Sequence, residues 1–135
     1  MKKQGFTLIE LIMVIAIIGI ISSIFFPNFS RIQLKAKESS VTSTTHSLQM
    51  AVESFYLNNS KYPTGTDIEI TELITTLKTS GELTKTPKNP FTGQLYTSSD
   101  TSGKIIYNYS SETDSYAINA YGLGNTEIIL TLENM

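Results

Sequence analysis

The stretch FTLIELIMVIAIIGIISSIFF, residues 6–26, contains a single charged side chain, Glu10, in 21 positions. At about 1.5 Å rise per residue it spans roughly 30 Å as a helix, the thickness of a bilayer's hydrocarbon core. Its apolar residues fall on every side, so it is not the one-faced helix of a soluble protein's surface. A cleaved secretory signal would have a shorter apolar run followed by small residues, and Phe25, Phe26 and Pro27 suit such a site badly. A core helix this apolar would need a larger domain around it. The run therefore reads as a membrane span. Lys2 and Lys3 precede it and Arg31, Lys35 and Lys37 follow, so flanking charge does not choose its orientation. Glu10 is the costly residue, because a carboxylate in hydrocarbon requires a partner.

Composition removes most chemistries. The 135 residues carry 10 basic and 12 acidic side chains, a formal net charge of −2 that offers no bulk attraction for nucleic acid. There is no cysteine, which excludes disulfides, thiolate nucleophiles and zinc–thiolate sites. His46 is the single histidine, so one chain cannot build a multi-histidine metal centre. No hydrolase elbow, zinc-protease, phosphate-loop or EF-hand pattern occurs. The chain reads as a non-enzyme with no catalytic residues, no cofactor and no metal site.

Beyond Pro27 the pattern becomes one-sided. Leu34, Val41, Leu48 and Phe55 recur every seven residues, with Thr45, Ala51, Val52 and Tyr56 beside them, which predicts an amphipathic helix over about 28–57. A coiled-coil seam would be too short and would contain Thr45, so the stripe is expected to pack on the chain's own sheet. Pro27 lacks an N–H and opposes the carbonyl of Ser23, and Gly19 is a weak helix former, so a weak point in the helix is expected from Gly19 to Pro27. Tyr62-Pro63 ends the long helix. Ile70, Leu73, Ile74 and Leu77 mark a second, short helix closing near Gly81, with Thr66 and Glu69 spaced as a capping box. The segment 86–93 is turn chemistry. Three alternating runs follow, carrying Ile105, Tyr107 and Tyr109, then Tyr116, Ile118 and Ala120, then Ile128, Leu130 and Leu132. A turn at 111–114 joins the first two. The expected fold class is α+β, a long N-terminal helix packed on a C-terminal antiparallel β-meander of three strands.

The motif Lys2-Lys3-Gln4-Gly5-Phe6-Thr7-Leu8-Ile9-Glu10, opening onto the apolar run, closely resembles the N-terminal signal of type IV pilins and type II secretion pseudopilins. That resemblance implies a pilin-like fold with a cleaved leader at 1–5, a membrane and polymerisation helix at 6–27, and a globular periplasmic or extracellular domain at 28–135. It implies cleavage by a prepilin peptidase between Gly5 and Phe6 and N-methylation of Phe6. It implies pairing of Glu10 with the Phe6 amine of a neighbouring subunit, and melting of the Gly19-to-Pro27 interval inside a stretched filament. The implied partners are further copies in a homo-polymer, the peptidase, an inner-membrane assembly platform and, before assembly, membrane lipid. The implied location is the inner membrane first and an extracellular or periplasmic filament afterwards. Three functions stay open: a type IV pilus subunit, a major-type pseudopilin, and a membrane-anchored binding module that never polymerises. Major pseudopilins often hold calcium in their C-terminal loops. Here Gly122-Leu123-Gly124-Asn125 stands where an acidic loop is expected, so the metal is not carried over.

Overall fold

The computed structural model describes residues 5–64 and 68–134. Helix α1, Leu8–Asn59, accounts for 52 residues and runs without interruption through Gly19 and Pro27. The weak point expected between those two residues is thus not an interruption of the helix in the isolated chain. One proline removes one donor, and the Ser23 hydroxyl meanwhile bonds the Ile20 carbonyl at 2.7 Å. The helix stops at Ser60, whose φ is 53° and whose N–H reaches the Tyr56 carbonyl at 2.7 Å.

The chain divides into two compact units, Met1–Lys35 and Ala36–Met135. In the first, the candidate span Leu8–Phe26 has a mean hydropathy of 2.7 and none of it is buried by the protein itself. Its large apolar side chains, from Leu8 to Phe26, all stand exposed. A chain that leaves such a surface uncovered needs another apolar medium, lipid or further copies of itself, to cover it.

The second unit is an α+β layer. Val41, Thr45, Leu48, Ala51, Val52 and Phe55 of α1 are buried, most of the stripe read from the sequence, while Leu34 and Tyr56 are only half-buried. They join one core with Ile70, Leu73, Ile74 and Leu77 of helix α2 (Ile70–Thr79) and with the inward faces of the sheet. Thr45 satisfies its buried hydroxyl on the Val41 carbonyl at 2.9 Å, which is how a polar residue is tolerated in the seam. Helix α2 ends as expected at Gly81, whose φ is 85°. The Glu82 N–H returns to the Leu77 carbonyl at 2.9 Å and the Gly81 N–H to that of Lys78 at 3.1 Å, a Schellman closure.

The sheet has four antiparallel strands, not three. Its order is β1 (Ile68–Glu69), β2 (Ile105–Ser110), β3 (Ser115–Tyr121) and β4 (Ile128–Glu133). The added β1 pairs Ile68 with Tyr107 and Glu69 with Ile106. Two residues are too few to show an alternation. The expected capping box has one of its two members outside the described residues. Glu69 occupies the N-cap of α2 with no side-chain cap bond, and Thr66 lies outside the described residues. The turn at 111–114 falls where it was read, with Asp114 at φ 47°.

Strand β4 departs from the expected face at one residue. Ala120 pairs with Leu130 but Tyr121 pairs with Ile128, so Ile129 is the extra residue of a bulge. The bulge inverts the alternation, turning Ile128 outward at 49% exposure while Leu130 and Leu132 still pack on the core.

Tyr107 and Tyr116, two of the aromatic residues on the strands, are buried and stacked with ring centroids 5.7 Å apart. Such rings pack the core and present no face on which a nucleobase could stack. Tyr107 donates its hydroxyl to the Pro63 carbonyl at 2.9 Å. Tyr116 donates to Glu53 Oε1 at 2.5 Å, tying sheet to helix. Tyr96 is equally buried, but among the described residues its hydroxyl finds no hydrogen-bond acceptor. Burial holds its phenol above the ordinary range. Thr44 spends its own hydroxyl hydrogen on the Ser40 carbonyl at 3.0 Å.

These contacts predict three different denaturation midpoints for the full chain in detergent. Leu48→Ala should cost about 2–5 kcal/mol, as deletion of a buried side chain does. Tyr107→Phe should cost about 1–3 kcal/mol by orphaning a buried carbonyl. Tyr96→Phe removes a hydroxyl that gains nothing from burial and should leave the midpoint unchanged or raise it. A large loss from Tyr96→Phe would show that its hydroxyl is bonded after all.

Candidate functional site at the mouth of the apolar helix

Gly5, Phe6 and Thr7 precede α1 without regular secondary structure, and all three are exposed, Phe6 at 81%. A Cβ built on Gly5 meets nothing within 4 Å, so packing within the chain does not require glycine there. The peptide between Gly5 and Phe6 is accessible on both sides. That is the condition for any protease to take it in an extended form.

Thr7 and Glu10 cap the helix. The Thr7 N–H donates to Glu10 Oε2 at 2.9 Å and the Thr7 hydroxyl donates to the same oxygen at 2.7 Å. The Glu10 N–H in turn donates to the Thr7 hydroxyl oxygen at 3.3 Å. With Leu8 as the first helical residue, this is a capping box, a threonine at the N-cap and a glutamate three residues on. The first N–H groups of a helix have no partner inside it, and in hydrocarbon no water replaces one. Glu10 therefore meets a local need before any second chain is involved. Its negative charge also sits at the positive end of the helix dipole.

Thr7 is the capping residue that the sequence reading passed over. The signal was present, since Thr7-Leu8-Ile9-Glu10 has the same spacing as Thr66 and Glu69, where a box was expected. Gly19 and Pro27 lie within the same helix, and a Cβ at Gly19 would meet nothing within 4 Å. His46 is exposed on the second unit's part of α1. Among the described residues no group of three or more His, Cys, Asp or Glu side chains is placed to hold a metal ion.

Comparison with known proteins adds further observations. Residues 1–26 match the family model described as the prokaryotic N-terminal methylation motif. The chain is 41% identical over 61 residues to the type IV major pilin protein PilA of Myxococcus xanthus, covering 45% of this chain and 28% of that protein. It is 38% identical over 63 residues to the type II secretion system core protein G of Klebsiella pneumoniae, covering 47% of this chain and 45% of that one. The chain thus spans less than half the length of either. The core protein G of Vibrio cholerae aligns much further, 30% identical over 131 residues, 91% of this chain and 81% of that protein. No solved structure matches.

The cap predicts a local effect. Thr7→Val removes the hydroxyl from two of the three bonds and should cost about 0.5–2 kcal/mol at the helix start. Amide hydrogen exchange in micelles should accelerate at Leu8 to Glu10 and stay unchanged beyond Ala36. Unchanged exchange at the helix start would remove the cap from the account.

Proposed function

The chain belongs to the family of type IV pilins and type II secretion pseudopilins, and from that premise we propose that it is a structural subunit of a type IV pilus-like filament. In this reading a prepilin peptidase cuts between Gly5 and Phe6, and the new Phe6 amine is methylated. The mature subunit waits in the inner membrane on the helix 6–27 and is polymerised through that helix by an assembly platform. The globular part, 28–135, then faces the periplasm or the cell exterior.

One observation carries the reading: an accessible Gly5-Phe6 peptide lies four residues before a carboxylate at the start of an uncovered apolar helix. Hydrogen bonds from Thr7 neutralise no charge. A neighbouring subunit's Phe6 amine would supply the opposite charge that Glu10 lacks and would fix the register between copies. The apolar surface left bare by the chain is what the other helices of a filament would cover. In a stretched filament, the interval from Gly19 to Pro27 is where α1 would give way first, because Pro27 leaves the Ser23 carbonyl without its usual donor.

A second reading keeps this architecture and makes the chain a major-type pseudopilin. The long alignment to the Vibrio cholerae protein favours it. The higher identity to the Myxococcus xanthus pilin favours the first. A membrane-anchored binding module that never polymerises would have no use for the methylation motif.

Two measurements in the native host test the proposal. Intact-mass spectrometry of fibres should show loss of residues 1–5 and gain of one methyl; full-length chain in fibres would refute the processing. Glu10→Ala should leave cleavage and the membrane pool intact while the yield of sheared fibres falls about tenfold or more, because the amine of each neighbour is left unpaired. Normal fibre yield from that variant would sink the pairing mechanism. Deleting the gene separates the two filament readings: loss of surface pili supports the first, and intracellular retention of secreted enzymes supports the second.

A further inference from the structure

Asn89 is the one asparagine buried completely among the described residues, and it sits in the turn-rich segment that the function leaves unused. Every hydrogen-bonding group it has is engaged. Its N–H donates to the Gln94 carbonyl at 2.8 Å and its carbonyl accepts from Gly93 at 2.8 Å. Its Nδ2 donates to Asp100 Oδ2 and to the Ser102 carbonyl, both at 2.8 Å, and its Oδ1 accepts the Phe91 N–H at 2.9 Å. The Asp100 carboxylate accepts two more bonds, from the Thr97 N–H at 3.1 Å and the Thr97 hydroxyl at 3.0 Å.

A second asparagine closes the arrangement from the β3–β4 connection. Asn125 Nδ2 donates to the Asp100 carbonyl at 2.7 Å and its Oδ1 accepts the Lys104 N–H at 3.1 Å. Ser102 Oγ accepts the Gly124 N–H at 2.9 Å, and the Gly103 N–H reaches the Gly122 carbonyl at 3.0 Å. Gly103 itself has φ 68°, and a Cβ there would lie 2.7 Å from the Phe91 ring and 2.9 Å from Asn89 Oδ1. Only glycine fits against the cluster.

Calcium is the ion that the resemblance raises for these loops, and the donor set does not suit it. Calcium takes roughly six to eight oxygen ligands, several of them carboxylates. Here Asp100 is the one carboxylate that takes part in these hydrogen bonds. Its oxygens, its own carbonyl and that of Ser102 all point at amide or hydroxyl hydrogens. Those hydrogens occupy the directions a cation would need, and they carry the same sign of charge.

We propose that Asn89, Asp100 and Asn125 form a latch that closes the C-terminal loops by side-chain amide hydrogen bonds, in place of a divalent cation. The latch joins segments 89–91, 97–104 and 122–126, and it makes the stability of the globular unit independent of calcium. This inference rests on the loop geometry and not on the filament reading.

The test is thermal unfolding of the full-length chain in detergent, followed by near-ultraviolet circular dichroism of its tyrosines, in excess calcium and in EDTA. The wild-type midpoint should be the same in both. Asn125→Ala should lower it by about 4–8 °C in both, and deuterium uptake at the Lys104 amide should rise equally in both. Ser102→Ala, a milder change at the same closure, should lower it less and again without regard to calcium. A wild-type midpoint that falls on chelation would overturn the proposal, as would midpoints unmoved by both substitutions.

Discussion

One helix here has to answer to two surroundings. Along Leu8–Phe26 none of the described residues covers α1, so every side must be apolar and every backbone group must be satisfied within the helix. From Val41 to Phe55 a sheet covers one side, so the apolar residues contract to a stripe and the opposite side turns to Ser, Thr, Gln and His. The change of pattern dictates the rest. The sheet must offer an apolar face to the stripe, which Tyr107, Tyr116, Ile118 and Ala120 supply. The uncovered length must find its cover elsewhere, in lipid or in other copies. A filament subunit stored in a membrane is a protein for which both demands hold in turn.

Much of this was legible in the sequence because it is periodic. The seven-residue recurrence from Val41 to Phe55, the spacing of Ile70, Leu73, Ile74 and Leu77, and the alternation in β2 and β3 all report burial, and burial is what repeats. What escaped notice does not repeat. Strand β1 is two residues long and owes its existence to pairing with Tyr107 and Ile106, residues far away in the chain. The bulge at Ile129 keeps local alternation intact while inverting its meaning for Ile128. Asn89 lies among Pro, Lys, Thr and Gly, where an asparagine ordinarily signals an exposed turn. Its burial depends on Asp100, Ser102 and Gly103 arriving from further along.

The capping box shows why a motif needs its surroundings. Thr66 with Glu69 and Thr7 with Glu10 share one spacing. At Glu69 the backbone is claimed by sheet pairing, so the residue serves as N-cap and its side chain makes no cap bond. At Glu10 no strand competes, and the box with Thr7 forms.

That cap also bears on how Glu10 would serve in assembly. A carboxylate offers about four lone-pair directions. Both Thr7 donors converge on Oε2, so capping leaves acceptor capacity on the same group. Pairing with a neighbour's amine therefore need not undo the helix start. The two interactions also differ in kind: the cap orients the carboxylate, while the amine neutralises it. An oriented carboxylate loses less freedom on pairing than a freely rotating one, so the intrachain bonds would ease the interchain one without competing with it. In the proposed filament Thr7 would then stand as the positioning residue for Glu10, and the cost of placing an acid at the mouth of an apolar helix would be met in two stages, by hydrogen bonds in the single chain and by opposite charge in the polymer.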